Sequence, residues 1–220
     1  MDIEQARFNM IEQQIRPWDV LDAEILESLA VVKREDFVPP AYRALAFADV
    51  EIPLSIDGKR TGQSMFTPKV EARLLQALGV RRHEAALEIG TGSGYGTALL
   101  AQRTRKIQSW EIDPQLQAFA AENLRRAGIG DVRLNGGDGS RAGGDEGFDV
   151  IILSGSVAED PDNLLARLNE GGRLFAIVGE APTMLGRLYT RIGKGCTSVD
   201  LFETVAPRLL GFPSGPRFKF

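Results

Sequence analysis

Leu87-Glu88-Ile89-Gly90-Thr91-Gly92-Ser93-Gly94-Tyr95 is the stretch whose reading decides the fold. Its first residues close an apolar run from Ala85, and helical apolar spacing resumes at Tyr95. The glycines therefore lie between a buried strand (85–89) and a helix (about 95–103). Glycine lets the backbone turn sharply and approach a ligand, and the helix start beside it favours negative charge. The dinucleotide fingerprint needs glycine at position 95, whereas Tyr95 stands there and the spacing is G-x-G-x-G. That spacing suits a ligand offering one carboxylate better than a pyrophosphate. Glu88, delivered beside the turn, repels a pyrophosphate and attracts an ammonium or sulfonium.

Outward from this turn, strands and helices alternate. Strands are expected at 107–112, 132–135, 148–153 and 172–178, with antiparallel edge strands at 188–192 and 199–205. Asp113-Pro114 opens a helix ending at Gly128, and residues 161–168 read as another. The run 148–153 does not alternate, as expected of a strand covered on both faces. Upstream, Asp2 and Asp22 cap two helices, 41–47 reads as a short third, and Thr67-Pro68 opens a fourth that Gly79 ends. The expectation is an α/β chain with a Rossmann-like, doubly wound, mostly parallel seven-stranded sheet and N-terminal helices. It is read as one domain over 1–220: a helical region and lid loop (1–80), a ligand-binding core (81–180), and C-terminal strands with a tail (181–220).

Two further acids stand at strand ends. Glu111 follows the glycines at about the twenty-residue offset where an acid meets ribose hydroxyls, and a carboxylate accepts from both hydroxyls of one ribose. Gly137-Asp138-Gly139 follows the third strand, where a short acid can accept from an adenine amino group. Asp-Gly is also a common turn, so the triplet gains meaning only beside the other two acids.

Composition excludes several classes. Hydrophobic residues make up 43% and charged residues 25%, an ordinary globular balance, and the formal charge of −4 gives no electrostatic footprint for nucleic acid. No apolar run reaches membrane-span length, and the polar N-terminus lacks a signal-peptide core, so a cytoplasmic location is expected. One cysteine, Cys196, and one histidine, His83, leave neither an internal disulfide nor a Cys/His metal cluster.

The glycine stretch, Glu111, Gly137 to Gly139 and Phe148-Asp149-Val150-Ile151-Ile152-Leu153 together resemble the protein-L-isoaspartate O-methyltransferase family. Residues 32–39 (VKREDFVP) are similar to that family's N-terminal signature, and 62–68 to the loop ahead of its nucleotide domain. The resemblance runs from about residue 8 to 180. It implies an enzyme dependent on S-adenosyl-L-methionine (SAM) that methylates the side-chain carboxylate of L-isoaspartyl residues in damaged proteins. By position, Gly90, Thr91, Gly92 and Gly94, with Glu88, would hold the methionine end of SAM. Glu111 and Ile112 would hold the ribose, and Asp138 with Gly139 the adenine. Gln63, Ser64 and Met65 would form the lid near the transferring methyl.

One departure bears on the chemistry. The family's loop reads roughly G-x-T-x-S-x-P, and its serine lies close to the reacting groups; here Phe66 takes the serine position and Ser64 the threonine position. Ser64 and Phe66 are thus the candidate catalytic positions, though a phenyl ring cannot hydrogen-bond an isoaspartyl group. The C-terminal substrate segment is also altered, with Val205-Ala206-Pro207-Arg208 keeping only its proline. The poverty of bases suits a carboxylate acceptor, which is already ionised at neutral pH. Two alternatives stay open: a methyltransferase of the same fold with another, possibly small, acceptor, and a SAM-binding protein without catalysis. A nicotinamide-dependent oxidoreductase is disfavoured by Tyr95 and Glu88.

Overall fold

A computed structural model of the chain describes residues 2–142 and 146–213. The alternating Arg217-Phe218-Lys219-Phe220, open between an edge strand, a dimer contact and a loose tail on sequence alone, lies outside them. The chain begins with α1 (Ile3–Met10), whose cap Asp2 accepts from the backbone N–H of Glu4 and Gln5. It tightens through a π-helical turn (Ile11–Ile15) and a 3₁₀ turn (Arg16–Trp18) that Asp19 ends in the left-handed region. Next comes α2 (Ala23–Val31), capped by Asp22, then 3₁₀ turns at Arg34–Asp36 and Pro40–Leu45.

Where no strand was expected, and where 62–68 was expected as the lid loop, residues 52–65 form a hairpin of β1 (Ile52–Ile56) and β2 (Lys59–Met65). The cause was present in the sequence. Asp57 (φ 50°) and Gly58 (φ 76°) make the two-residue turn, and Asp-Gly tolerates positive φ at both positions. Then α3 (Pro68–Leu78) starts on the Thr67 side-chain cap and ends at left-handed Gly79.

The core sheet comprises β3 (Ala85–Ile89), β4 (Lys106–Glu111), β5 (Val132–Gly136), β6 (Phe148–Val157), β7 (Leu168–Glu180), β8 (Thr183–Ile192) and β9 (Gly195–Thr204). Helices α4 (Tyr95–Ala101), α5 (Pro114–Arg126) and the single turn α6 (Asp162–Leu165) connect the parallel strands. The strand order is β5-β4-β3-β6-β7-β8-β9; the first five are parallel, and β8 and β9 are antiparallel. Met10, Ile15, Ile25, Leu29, Leu74 and Phe175 fill one apolar layer, and Leu87, Ile151, Leu153, Leu164 and Leu174 fill the other. Each such side chain contributes about 1.5–3 kcal/mol on burial.

Two expectations are corrected here. The helix expected at 161–168 shrinks to α6, because Leu168 already begins β7. The strand expected from 188 begins at Thr183: Gly186 reads as a breaker in sequence, but a Cβ there would stand 2.7 Å from the Phe202 ring. Glycine lets that ring lie flat on the strand.

Candidate active site

The order of strands reverses between β3 and β6: the chain runs from β3 outward to β4 and β5, then returns to β6 on the other side. Ligands in such sheets bind at the carboxyl ends of strands at this switch point. A cleft lies there, about 830 Å³ with its open mouth included, and clefts at such points are where small molecules bind.

Its floor is the glycine turn. Gly90 and Thr91 both donate backbone N–H to the Trp110 carbonyl, at 2.8 and 3.3 Å, which pins the turn to β4. Gly90 has φ 93°, and a Cβ there would stand 2.8 Å from Leu209 Cδ2 and 3.4 Å from the Ser154 carbonyl. A side chain is thus barred by both conformation and space. The Gly92 N–H donates to Glu111 Oε2 at 2.8 Å, and the Asp113 N–H donates to Glu111 Oε1 at 3.0 Å. This buried carboxylate is held by two backbone donors and keeps further acceptor sites facing the cleft.

The roof is the hairpin and the loop after it. Leu54 reaches to 3.2 Å from the Cβ position of Gly92, while Gln63, Ser64, Met65 and Phe66 line the cleft. Ser64 Oγ donates to Glu51 Oε2 at 3.0 Å, and burial holds the Glu51 carboxyl above its ordinary range. Phe66 is 5% exposed and belongs to the apolar core as well as to the cleft wall. Its carbonyl is fixed by Arg34, a fully buried residue whose Nη2 donates to it at 2.6 Å and whose Nε donates to the Ala46 carbonyl at 3.1 Å. The Arg34 guanidinium also lies 5.1 Å from the centre of the Tyr95 ring, and its desolvation lowers its pKa. The neighbouring Glu35 makes a buried ion pair with Arg7. Residues 32–39 therefore act by anchoring the roof.

A C-terminal strap closes the far side. Ser156 of β6 donates to the Pro207 carbonyl at 2.8 Å and accepts from the Leu209 N–H at 2.9 Å. Gln63 Nε2 reaches the Arg208 carbonyl at 3.2 Å, joining the roof to the strap, and Leu209 and Leu210 line the cleft.

The wall opposite carries acids. Glu88, 1% exposed, accepts from Thr97 Oγ1, from Ser109 Oγ at 2.8 Å and from Ser154 Oγ at 3.0 Å. Desolvation first, countered by those hydroxyls, then repulsion from Glu111, leaves its pKa raised to about 7. Glu71, on the first turn of α3, is 7% exposed and is likewise raised to about 7, chiefly by burial, with Arg34 opposing and Glu88 reinforcing.

The cleft thus gathers Gln63, Ser64, Met65, Phe66, Glu88, Gly90, Thr91, Gly92, Glu111, Ile112 and Gly139. Thr91 offers it backbone only, because its Oγ1 is 2.6 Å from Ser109 Oγ within the sheet. Gly94 and Asp138 are not among the lining residues. A Cβ on Gly94 would stand 3.3 Å from Ala120 O and from Leu124 of α5, so helix packing explains that glycine. Asp138 Oδ1 accepts from the N–H and Oγ of Ser140, at 3.0 and 2.6 Å, and Gly211 packs against it. Trp18 packs on Phe202 with ring centres 5.1 Å apart and does not line the cleft. His83 is exposed before β3, at the opposite end of the sheet.

Sequence reasoning missed Glu71, Leu54, Ser154, Leu209 and Leu210. For Glu71 a signal existed: with Leu74, Leu75 and Leu78 it repeats at i, i+3, i+4, i+7, a carboxylate on the buried stripe of a helix. In the strap the resemblance had marked Val205 to Arg208, but Leu209 and Leu210 carried no signal, since their position follows from tertiary closure.

Comparison with known proteins bears on the same elements. Residues 5–206 match the family model of protein-L-isoaspartate(D-aspartate) O-methyltransferase. Protein-L-isoaspartate O-methyltransferase 2 of Anaeromyxobacter sp. (strain Fw109-5) is 34% identical over 194 residues, covering 87% of this chain and 78% of that protein. The protein-L-isoaspartate O-methyltransferase of Myxococcus xanthus (strain DK1622) is 40% identical over 161 residues, covering 73% and 74%. Among solved structures, a Plasmodium falciparum protein described as a candidate of this kind, in complex with S-adenosyl-L-homocysteine, superposes with TM-score 0.78 at 19% identity, over 95% of this chain and 98% of that one. That likeness speaks to the fold, and the matched span takes in the roof, the glycine turn and the switch-point cleft. The chain belongs to the protein-L-isoaspartate(D-aspartate) O-methyltransferase family.

Proposed function

We propose that this chain transfers a methyl group from SAM to the side-chain carboxylate of L-isoaspartyl residues in damaged proteins. The cleft fits the donor. Glu111, oriented by the Gly92 and Asp113 N–H groups, has acceptor sites left for two ribose hydroxyls. Trp110, Ile112 and Leu116 offer an apolar wall for a base. Glu88 and Glu71 supply negative charge where the donor is cationic. The oriented Glu111 carboxylate is the observation that carries the reading.

Bound there, SAM supplies an electrophilic methyl on a sulfonium. An acceptor carboxylate is ionised at neutral pH and attacks that carbon without a base. The chain's task is placement, which by itself reaches effective molarities on the order of 10⁵ M. The roof over Met65 and Phe66 excludes water, Arg34 holds that roof at the Phe66 carbonyl, and the Gln63–Arg208 hydrogen bond ties roof to strap. We place the reaction in the cytoplasm, an inference supported by the single cysteine. No helix among the described residues is long and apolar enough to cross a membrane.

A tritiated-methyl assay with matched isoaspartyl and aspartyl peptides is the test: base-labile methyl ester is expected on the isoaspartyl peptide alone. Equal labelling of both, or of neither, removes the reading. The buried Phe66 ring at the cleft wall favours one second reading, an apolar carboxylate as acceptor. Labelling of small hydrophobic carboxylic acids in place of the peptide would support it.

A further inference from the structure

Three polar side chains of the roof line the cleft, and each has committed a proton elsewhere in the protein. Thr61 Oγ1 donates to the Leu54 carbonyl at 2.9 Å and accepts from the Gln63 N–H at 3.2 Å. Gln63 Nε2 donates to the Arg208 carbonyl at 3.2 Å, and Ser64 Oγ donates to Glu51 Oε2 at 3.0 Å. Glu51 is exposed, and the Ser64 hydrogen bond itself favours its ionised form. An ionised carboxylate has no proton to give back, so Ser64 is fixed as the donor in that pair. Its lone pairs are what it offers a ligand.

With the methyl donor on the floor against Glu111 and the glycine turn, the acceptor meets the roof. Ser64 stands at the rim of that space, between the exposed Glu51 and the buried Met65. A carboxylate brings no proton of its own at neutral pH, so a lone pair beside it must serve a neighbouring group. In an isoaspartyl residue the amide N–H stands on the same carbon as the free carboxylate; in an aspartyl residue one methylene separates them. A serine free to donate would grip the carboxylate of either isomer. A serine held as acceptor does not.

We propose that Glu51 holds Ser64 as a hydrogen-bond acceptor for the amide N–H beside the reacting carboxylate, and that this pair sorts isoaspartyl from aspartyl acceptors. This rests on the isoaspartyl reading above. Ser64 touches the substrate; Glu51 acts through Ser64 and is a positioning residue. Discrimination comes from the bond left unmade. An aspartyl acceptor with its carboxylate at the methyl group carries its N–H past Ser64, and both partners lose their match.

The test is methyl transfer by the full chain to an isoaspartyl peptide and to its depsipeptide analogue, in which oxygen replaces that one N–H. In the unmutated chain kcat/KM should fall about tenfold from amide to ester, the worth of one hydrogen bond. Ser64→Ala should lose a similar factor on the amide peptide and bring the two peptides level, and Ser64→Thr should restore the difference. Glu51→Ala keeps the hydroxyl but frees its proton, so the amide-to-ester ratio should shrink by about threefold or more. Glu51 is exposed, so this variant reads the effect even if Ser64→Ala does not fold. Equal kcat/KM for the two peptides in the unmutated chain overturns the proposal, as does a difference that survives Ser64→Ala or Glu51→Ala. An equal loss of S-adenosyl-L-homocysteine affinity in Ser64→Ala also overturns it, by assigning the hydroxyl to the donor. If neither peptide is labelled, the isoaspartyl reading itself falls; if both are labelled alike, only the Glu51–Ser64 selector does.

Discussion

Glu111 and Phe66 carry the two residue-level consequences, and they differ in kind. The Glu111 carboxylate accepts two backbone N–H groups and faces the cleft, so Glu111→Ala strips both the orientation of the turn and the proposed ribose partner. A hydrogen bond to a charged group is worth about 1.5–3 kcal/mol, so S-adenosyl-L-homocysteine should bind roughly 10- to 100-fold more weakly by calorimetry. An unchanged Kd would contradict the assignment of the ribose site. Phe66 belongs to the core, and Phe66→Ser should lower stability by about 3 kcal/mol in urea unfolding, the cost of an emptied aromatic site. A loss below about 1 kcal/mol would mean that the ring faces open space.

At the scale of elements, the roof is held by Arg34 as well as by its own strand pairing. Arg34→Met keeps volume but leaves the Ala46 and Phe66 carbonyls without their donor. Each buried unsatisfied group costs about 1–3 kcal/mol, so urea unfolding should show a loss of roughly 2–5 kcal/mol. Methyl-transfer KM should rise more than kcat falls; an unaffected KM would show that the roof is held some other way. Elements with strong local grammar were readable from sequence. The capped α1, α2, α3 and α5, the glycine turn and the existence of five parallel strands all follow from caps, proline positions and apolar runs, whereas the order of those strands in the sheet does not. The hairpin roof was missed because its strands carry Pro53 and a polar second half, Lys59 to Ser64, although Asp57-Gly58 marked the turn. Strand β8 was read late because Gly186 serves a ring sixteen residues further on, which local propensity does not report. Within the site, Gly90, Gly92 and Glu111 were legible by spacing, while Gly94 serves the packing of α5. Glu71 was hidden because α3 was scanned for apolar residues on its inner face.

For the whole molecule, the buried acids set a dependence on pH. Glu71 and Glu88, held near 7 in the folded chain against an ordinary value of 4.5, keep their protons longer folded than unfolded. Their contribution to stability is complete below about pH 4.5 and is lost as pH rises through about 7. Glu84 and Asp149 are shifted downward, so their effect falls at lower pH, outside this window. The ligand-free protein should accordingly melt at a lower temperature at pH 8 than at pH 6, and Glu71→Gln should flatten the difference. Scanning calorimetry at both values tests this; a Tm that climbs from pH 6 to 8 would mean that other groups dominate.

Leu209 lies over Gly90, and Gln63 grips the backbone beside it, so two stretches 145 residues apart in sequence must meet before the chamber exists. Sheet and chamber are therefore separable achievements of one polypeptide. A chain shortened to end at Thr204 retains every strand yet has no back wall. It should show the same far-ultraviolet spectrum while losing at least tenfold in affinity for S-adenosyl-L-homocysteine. The back wall is thus conferred by a few residues that lie outside every strand of the sheet they close.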